Sequence, residues 1–290
     1  MIRDILVHVD PARDGRGPGD GRGPSDGRGP GIAADYALAL AAQHEAHVRA
    51  YAFGFWAVPA TAFADVPAGL IEDQQREAET RAAAVRAGFE EAARRAGVSF
   101  ESHVLIGDSA LAANALAVGA RVSDLAVIAQ DEPDSSGLRT VLIEAALFDG
   151  GRPVLIVPYI QRGEPAFRRV MIAWDYSRAA ARALHDALPL LRKADVVEVV
   201  MVEKRRAADQ DVPGADVGAH LARHGLRVDV HRVPGEDIAI AEAILSYASD
   251  AGADLLVMGG YEHSRLREFL LGGATRGVLE AMTIPVLMSH

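Results

Sequence analysis

Apolar residues along this chain fall into short runs that alternate with longer segments of helical periodicity. Runs such as 255–258 and 154–157 are apolar throughout, which is typical of strands buried on both faces of a mainly parallel sheet. Segments with helical spacing of apolar residues lie between the runs, at 33–44, 71–96, 109–121, 177–192, 217–224 and 237–249. This alternation of strands and helices predicts a doubly wound α/β fold.

The pattern of strands occurs twice. The segment IRDILVHVD (2–10) resembles FRRVMIAWD (167–175), since each is an apolar strand that ends in Asp. Three further pairs follow in the same order, namely 98–108 with 226–236, 123–130 with 253–260, and 152–158 with 284–290. A repeat of this length predicts two tandem domains, 1–160 and 166–290, each a mainly parallel five-stranded sheet flanked by helices. The polar segment 160–166 is the predicted linker.

Ligands of doubly wound sheets bind beyond the carboxyl ends of the strands. In the second half, Asp175 follows the first strand and Gly235 follows the third, while Met258 and Gly259 end the fourth. Asp175 could contact a ligand, cap the helix that begins near residue 177, or do both. Trp174 could stack on a base or pack against the sheet. These strand ends are the positions at which the sequence predicts binding.

A glycine-rich insert distinguishes the first half. Within this insert at 12–30, residues 14–30 contain three near-copies of a hexapeptide dominated by Gly and Pro, with nothing to bury. We expect a flexible loop. It does not match a dinucleotide-binding fingerprint, because the third glycine position of each candidate falls on Asp20, Asp26 or Ile32.

The last strand-to-helix connection combines glycines with polar donors. Gly259 is followed by His263, Ser264 and Arg265, and Gly272 and Gly273 precede a helix that is predicted to begin near Ala274 or Thr275. Free backbone N–H groups at a helix N-terminus, preceded by glycines, form a cradle for anions. Phosphate is the anion that this loop predicts.

These residues resemble the universal stress protein family. Its hallmark is a strand followed by Gly-x2-Gly-x9-Gly and Ser or Thr, and Gly259 and Gly272 match its first and third glycines. The segments HSRLRE (263–268) and PVL (285–287) are also similar. The resemblance implies an adenine nucleotide across the strand ends, with Asp175 on the base or ribose side, the turn at Val233 and Gly235 beside it, and the glycine loop holding the phosphates.

Two positions of this loop depart from the family pattern. Glu262 replaces the second glycine, and Gly273 stands where the family has Ser or Thr, with Thr275 as a substitute hydroxyl. The equivalent segment of the first half, 130–153, carries acids in place of glycines. We therefore expect weak binding of ATP or AMP in the second half, with Mg²⁺ accompanying ATP, and no phosphate site in the first.

Composition removes several other classes of function. A formal net charge of -10 argues against a nucleic-acid binder, and the absence of Cys excludes thiol chemistry and suits the cytoplasm. The first residues resemble a strand and not a signal peptide, and no apolar run is long enough to cross a membrane. His220 and His224 have the spacing of zinc ligands on one helix face, but a solvated helix is the favoured interpretation, and no metal site or catalytic nucleophile is predicted.

The sequence thus predicts a cytoplasmic regulatory or binding protein of the stress response. In relatives of this family two such domains pair through their last strands, so the resemblance implies an internal pseudo-dimer with residues 153–158 against 285–290. Further association and an unknown protein partner remain open. One alternative is a slow ATP hydrolase of the adenine-nucleotide α-hydrolase-like group. The other is a partner-binding protein that holds no nucleotide.

Overall fold

The computed structural model describes residues 1–10, 30–56, 68–133, 135–203, 214–235, 238–260 and 273–290. The chain divides into two compact units, Met1–Arg152 and Pro153–His290. Each unit has a mainly parallel sheet whose parallel strands alternate with helices along the chain, so the predicted α/β fold class is confirmed.

The first unit contains four parallel strands in the order β3-β2-β1-β4. β1 and β4 are buried almost throughout, as their uninterrupted apolar sequences require, whereas β2 alternates buried and half-buried residues. Its strands are β1 (Asp4–Val9), β2 (His47–Phe55), β3 (Phe100–Gly107) and β4 (Leu125–Ala129), and its helices are α1 (Ile32–His44), α2 (Ala68–Ala96), α3 (Ser109–Arg121) and α4 (Leu138–Phe148).

The second unit repeats this arrangement and adds a strand at one edge. The order is β5-β10-β9-β6-β7-β8, in which β10, β9, β6, β7 and β8 are parallel. The strands are β5 (Val154–Val157), β6 (Arg169–Ala173), β7 (Val196–Glu203), β8 (Val228–Pro234), β9 (Leu255–Gly259) and β10 (Val286–Ser289). The helices are α5 (Arg178–Leu191), α6 (Ala215–Arg223), α7 (Ile240–Ala251) and α8 (Gly273–Ala281).

The pairing of β5 with β10 was predicted from the sequence and is confirmed. The two strands are antiparallel, with Val286 opposite Ile156 and Met288 opposite Val154. All residues of both strands are buried, so the pair contributes apolar surface to the core as well as backbone hydrogen bonds. By its contacts β5 belongs to the second unit, although its sequence was grouped with the first half.

The longest described helix is α2, with 29 residues. It is rich in Glu and Arg at helical spacing, and several of them form ion pairs one turn apart. Throughout the part of the chain that the structure describes, no helix is long and apolar enough to cross a membrane.

Candidate functional site

The strand order places a crevice at the carboxyl ends of two neighbouring strands in each sheet. In the second unit the chain runs outward through β6, β7 and β8 and then returns to β9 on the other side of β6. The connections after β6 and β9 therefore leave in opposite directions, and the space beyond their carboxyl ends is where doubly wound folds bind ligands. Ala173 and Met258 are opposite each other at these ends.

Asp175 lies two residues beyond β6, where the sequence predicted it. Its Oδ1 accepts a hydrogen bond from the Ser177 N–H at 3.0 Å, and Ser177 Oγ accepts one from the Ala180 N–H at 2.9 Å. Ser177 is therefore the N-cap of α5, and Asp175 stabilises the turn that precedes it. Asp175 is exposed, so its carboxylate is held in place and still accessible to a ligand.

The turn after β6 also contains an aromatic pair. Tyr176 has a φ of 61°, a left-handed conformation that is unusual for a residue other than glycine. Its hydroxyl accepts from the Gly214 N–H at 2.7 Å and donates to Asp216 Oδ1 at 3.2 Å, which fastens the turn to the start of α6. The Trp174 ring lies 5.5 Å from the Tyr176 ring, and its buried Nε1 has no hydrogen-bond partner in the described part of the chain.

The sequence argument missed Tyr176. Its signal was weak, because a single aromatic residue after a strand-end Asp matches no motif, and its partners come from α6, about 40 residues later in the chain. Trp174 was named from the sequence, with stacking on a base or packing as alternatives. It is half-buried and lies beside Tyr176, one residue beyond the end of β6.

Gly259 is a glycine because helix α5 packs directly against it. A Cβ at this position would lie 2.5 Å from the Ala180 nitrogen and 2.8 Å from the Ala179 carbonyl carbon, both backbone atoms that cannot move independently. Its φ is not in the left-handed region. The first turn of α5 thus approaches Gly259 closely, while contact of Gly259 with a ligand stays a prediction.

Strands β7 and β8 extend beyond the end of β6 and form a wall beside the crevice. β6 ends where Ala173 pairs with Val200, but β7 and β8 remain paired up to Glu203 and Pro234. Val233 lies near the end of β8 and is half-buried, and the buried Gly235 lies two residues further along the chain. Val233 therefore lies beyond the level at which β6 ends.

The structure describes the end of the predicted phosphate loop, at the start of α8. Gly273 is exposed, and a Cβ there would meet no atom within 4 Å, so packing with described residues does not require a glycine. Ala274 is half-buried, and Thr275 is 4% exposed. The remaining predicted contacts, His263, Arg265 and Gly272, lie outside the described residues, as do Glu262 and most of the insert at 12–30.

The equivalent position of the first unit is filled by the protein's own side chains. Asp10, the counterpart of Asp175, accepts a hydrogen bond from Arg139 Nε at 2.9 Å. Arg139 also donates to the Gln130 carbonyl at 3.1 Å and lies 3.9 Å from Glu132. Asp10 and Arg139 are each about one-fifth exposed, so this ion pair closes the crevice between β1 and β4.

A carboxylate occupies the N-terminus of α4. Asp131 accepts hydrogen bonds from the Arg139 N–H at 3.2 Å, the Thr140 N–H at 2.6 Å and the Thr140 hydroxyl at 2.7 Å. Ser135 Oγ donates a fourth at 3.1 Å. Asp131 therefore uses the free N–H groups that would otherwise bind an anion.

His8 is buried beneath the ion pair of Asp10 and Arg139. Its Nε2 lies 3.5 Å from Asp10 Oδ1, its ring lies 5.3 Å from Phe53, and its Nδ1 has no hydrogen-bond partner in the described residues. Burial lowers the pKa of His8, Asp10 raises it, and Arg139 lowers it further. The imidazole is therefore neutral at pH 7 and forms part of the core.

The second unit matches a known protein family. The family model described as "Universal stress protein family" matches residues 166–290. A relative with a similar sequence is the universal stress protein Slr1230 of Synechocystis sp. (strain PCC 6803), which is 29% identical over 138 residues. The match covers 47% of this chain and 46% of the relative, so the chain matches about half the length of that protein.

Solved structures resemble the chain over nearly its whole length. A universal stress protein from Archaeoglobus fulgidus has a TM-score of 0.65 at 18% identity, with 98% of this chain and 94% of that chain covered. A functionally unknown protein from Pseudomonas aeruginosa PAO1 has a TM-score of 0.56 at 15% identity, with 99% and 92% covered. At these identities the likeness establishes the fold.

Proposed function

We propose, on the premise that residues 166–290 belong to the universal stress protein family, that this chain binds an adenine nucleotide weakly in its second unit. We further propose that it acts as a regulatory or binding protein of the stress response. The observation that supports the site best is the exposed Asp175 carboxylate, held at the junction of β6 and β9 where a doubly wound fold offers its crevice.

Asp175 would bind the sugar of the nucleotide. A carboxylate has about four acceptor positions, and the Ser177 N–H occupies one of them. The remaining positions can accept hydrogen bonds from ribose hydroxyls or an exocyclic amino group. Val233 and Gly235, on the wall formed by β7 and β8, would lie against the base, and Met258 would form the floor beside Gly259.

The phosphates would lie toward the start of α8. Gly273, Ala274 and Thr275 are in its first turn, at the end of the helix where the helix dipole favours negative charge. His263, Arg265 and Gly272 would complete this part of the site. Mg²⁺ would accompany ATP and offset part of the charge of Glu262, which lies in the same loop.

A titration of the full chain tests this proposal. The chain has two Trp residues, and replacing Trp56 by Phe leaves Trp174 as a reporter beside the crevice. We expect adenosine, AMP and ATP to change its fluorescence, and calorimetry to give one site per chain, because Asp10 in the first unit is already paired with Arg139.

Matched variants locate the site. Asp175→Asn should weaken the binding of adenosine and of ATP by about tenfold. This is the change in affinity expected from the loss of one hydrogen bond to a charged group. Asp195→Asn is the control, since Asp195 precedes β7 at the opposite edge of the same sheet and is 72% exposed. Equal effects of the two substitutions, or two equivalent sites per chain, would contradict the proposal.

Two further outcomes would identify the alternatives. Release of ADP or AMP during incubation with ATP and Mg²⁺ would indicate a slow hydrolase. The absence of any binding, with the fold intact by circular dichroism, would favour a partner-binding protein that holds no nucleotide.

A further inference from the structure

A cavity of the first unit lies beside β3, the outermost strand of its sheet. Its volume is about 460 Å³, which is within the range of small-molecule sites. Residues of β2, β3, α2 and α3 line it, among them Tyr51, Arg86, His103, Asn114 and Val118. We propose that this cavity binds a small organic acid that carries one negative charge on an apolar or aromatic body.

The cavity opens along the outer edge of β3, which pairs only with β2 in the described part of the chain. Helices α2 and α3 lie on opposite faces of the sheet here. A Cβ at Gly54 of β2 would lie 2.7 Å from the Ala78 carbonyl oxygen of α2, and a Cβ at Gly119 of α3 would lie 3.1 Å from the Tyr51 ring. Tyr51 and Gly54 face opposite ways because they are three residues apart on one strand. A cavity lined by both helices therefore includes the strand edge between them, where backbone groups are open to a ligand.

Arg86 is the cation of the cavity. Its Nε is buried and has no hydrogen-bond partner in the described residues, which is costly for an N–H group unless a ligand accepts from it. Glu90 Oε1 lies 3.5 Å from this nitrogen, but Oε1 already accepts from Ser102 Oγ and Oε2 from Arg94, each at 2.7 Å. Glu90 thus serves two guanidinium groups. The donors of Arg86 are left for the carboxylate of an acid, which can accept two parallel hydrogen bonds from them.

Two acids beside the cavity limit the ligand to one negative charge. Glu90 lies next to Arg86, and Glu101, which is bonded to Arg49, precedes the β3 residues that line the cavity. Hydrogen bonds from Ser102 and Arg49 lower the pKa of Glu90 and of Glu101, respectively, so both carboxyl groups are ionised at pH 7. They would repel the phosphates of a polyanion, whereas a single carboxylate can pair with Arg86.

Rings and aliphatic side chains form the α3 side of the cavity. The Tyr51 and His103 rings are 5.6 Å apart at an interplanar angle of 74°, and Leu105 and Val118 also line the cavity. The side chain of His103 and the residue Val118 are each about half exposed, so an apolar body would remove apolar surface from water. The exposed Asn114 of α3 offers an amide that can orient a polar substituent. The acid group would thus pair on the α2 side, and the body would cross the strand edge to the rings.

This cavity is separate from the proposed nucleotide site. All residues that line it belong to the first unit, whereas the nucleotide is proposed to bind the second. Its β3 residues, 102–105, lie in the middle of the strand, and the carboxyl end is Gly107. Neither proposal depends on the other.

Titration of the full chain with 1-naphthoate, followed by NMR of the naphthalene protons, tests the proposal. We expect one site per chain with a Kd of about 1 mM or tighter, from the affinity typical of ligands of this size. The uncharged analogue 1-naphthalenemethanol should bind about tenfold more weakly, because it lacks the charged acceptor for Arg86. AMP should not displace 1-naphthoate. Absence of 1-naphthoate binding, equal binding of the alcohol, or displacement by AMP would overturn the proposal.

Matched substitutions locate the acid group. Arg86→Gln keeps a long polar side chain and should weaken 1-naphthoate by about tenfold or more, while the affinity for the alcohol stays the same. Arg81→Gln is the control, since Arg81 is on the same helix, is 67% exposed and does not line the cavity. Equal effects of these two substitutions would contradict the role of Arg86.

Val118→Glu keeps the proposal testable if the Arg86→Gln chain folds poorly. Position 118 is exposed on α3, so the substitution disturbs no core, and it adds a negative charge to the wall of the cavity. It should weaken 1-naphthoate by about threefold or more and the alcohol by less, because like charges repel. Unchanged affinity for 1-naphthoate would place the acid outside this cavity and overturn the proposal.

Discussion

Replacement of Asp131 by Ala should destabilise the first unit by loosening the start of α4. The carboxylate accepts hydrogen bonds from the backbone N–H groups of Arg139 and Thr140 at the N-terminus of this helix. It also accepts the hydroxyls of Thr140 and Ser135. Alanine would remove all four contacts at once and leave the two backbone donors in a half-buried position.

The expected loss is about 2–3 kcal/mol. An N-terminal cap contributes typically about 1 kcal/mol, and a negative charge at this end of the helix dipole adds about 0.3–1 kcal/mol. A second backbone donor left without a partner costs about 1 kcal/mol more. The two hydroxyls add little, because both can turn to water.

Hydrogen exchange of the α4 peptide measures this loss directly, alongside urea denaturation of the full chain. Asp131→Ala should accelerate exchange across residues 138–148 by about thirtyfold or more, which corresponds to about 2 kcal/mol. Asp131→Asn keeps one amide oxygen as an acceptor and should lose about half as much. Asp250→Ala, an exposed change in the second unit, is the control. An acceleration of less than about twofold would refute the assignment of Asp131 as the cap of α4.

Three further predictions concern Gly259, His8 and Glu262. Gly259→Ala should lower the free energy of unfolding by about 1–3 kcal/mol, because its Cβ would press on the backbone at Ala180, and unchanged urea denaturation would contradict this account. His8→Phe should reduce the pH dependence of stability below about pH 6.5. Burial lowers the pKa of His8 in the folded state, so the unfolded chain takes up the proton first and stability falls, by up to about 1.4 kcal/mol per pH unit, as the pH drops. The phenyl ring keeps the contact with Phe53, so denaturation at pH 5 and pH 7 should show a smaller difference than in the parent chain. Glu262→Gly should tighten ATP by about tenfold and leave adenosine unchanged, because a charge about 4 Å from a phosphate repels it by up to about 4 kcal/mol before solvent reduces the effect. Equal ATP affinity of the parent and the Glu262→Gly chain would show that Glu262 points away from the phosphates.

The fold was predictable because the spacing of apolar residues along the chain reflects which residues are buried. The apolar runs at 125–129 and 255–259 have no polar interruption, and both form strands that are buried nearly throughout. The helices at 33–44 and 109–121 were placed to within one residue, since their apolar residues face the sheet at helical spacing. Helix α4 was not identified, because acids and serines precede it and the comparison of the two halves emphasised the missing glycines.

The site was less predictable, because its contacts join residues far apart in the chain. Asp10 could be recognised as a strand-end acid, but its pairing with Arg139 bridges 129 positions and follows no local rule. Gly259 was identified from the sequence as the first glycine of the loop, but its packing against the backbone of α5 could not be foreseen. Sequence alone cannot show whether a ligand or the first turn of α5 occupies the space where a side chain would be.

The two units therefore differ in the partners of the acidic residues at the carboxyl ends of their strands. In the first, an acid at the strand end is paired with Arg139 and a second acid caps the following helix, so the polar groups at this edge are satisfied from within the chain. In the second, the corresponding acid, Asp175, is bonded only to the backbone of its own turn in the described residues and is exposed. An anion that enters the first crevice would have to displace two carboxylates from charge-assisted hydrogen bonds, each worth about 1.5–3 kcal/mol. Since the second crevice imposes no such cost at Asp175, a nucleotide that binds this chain should bind there and leave the first unit unchanged.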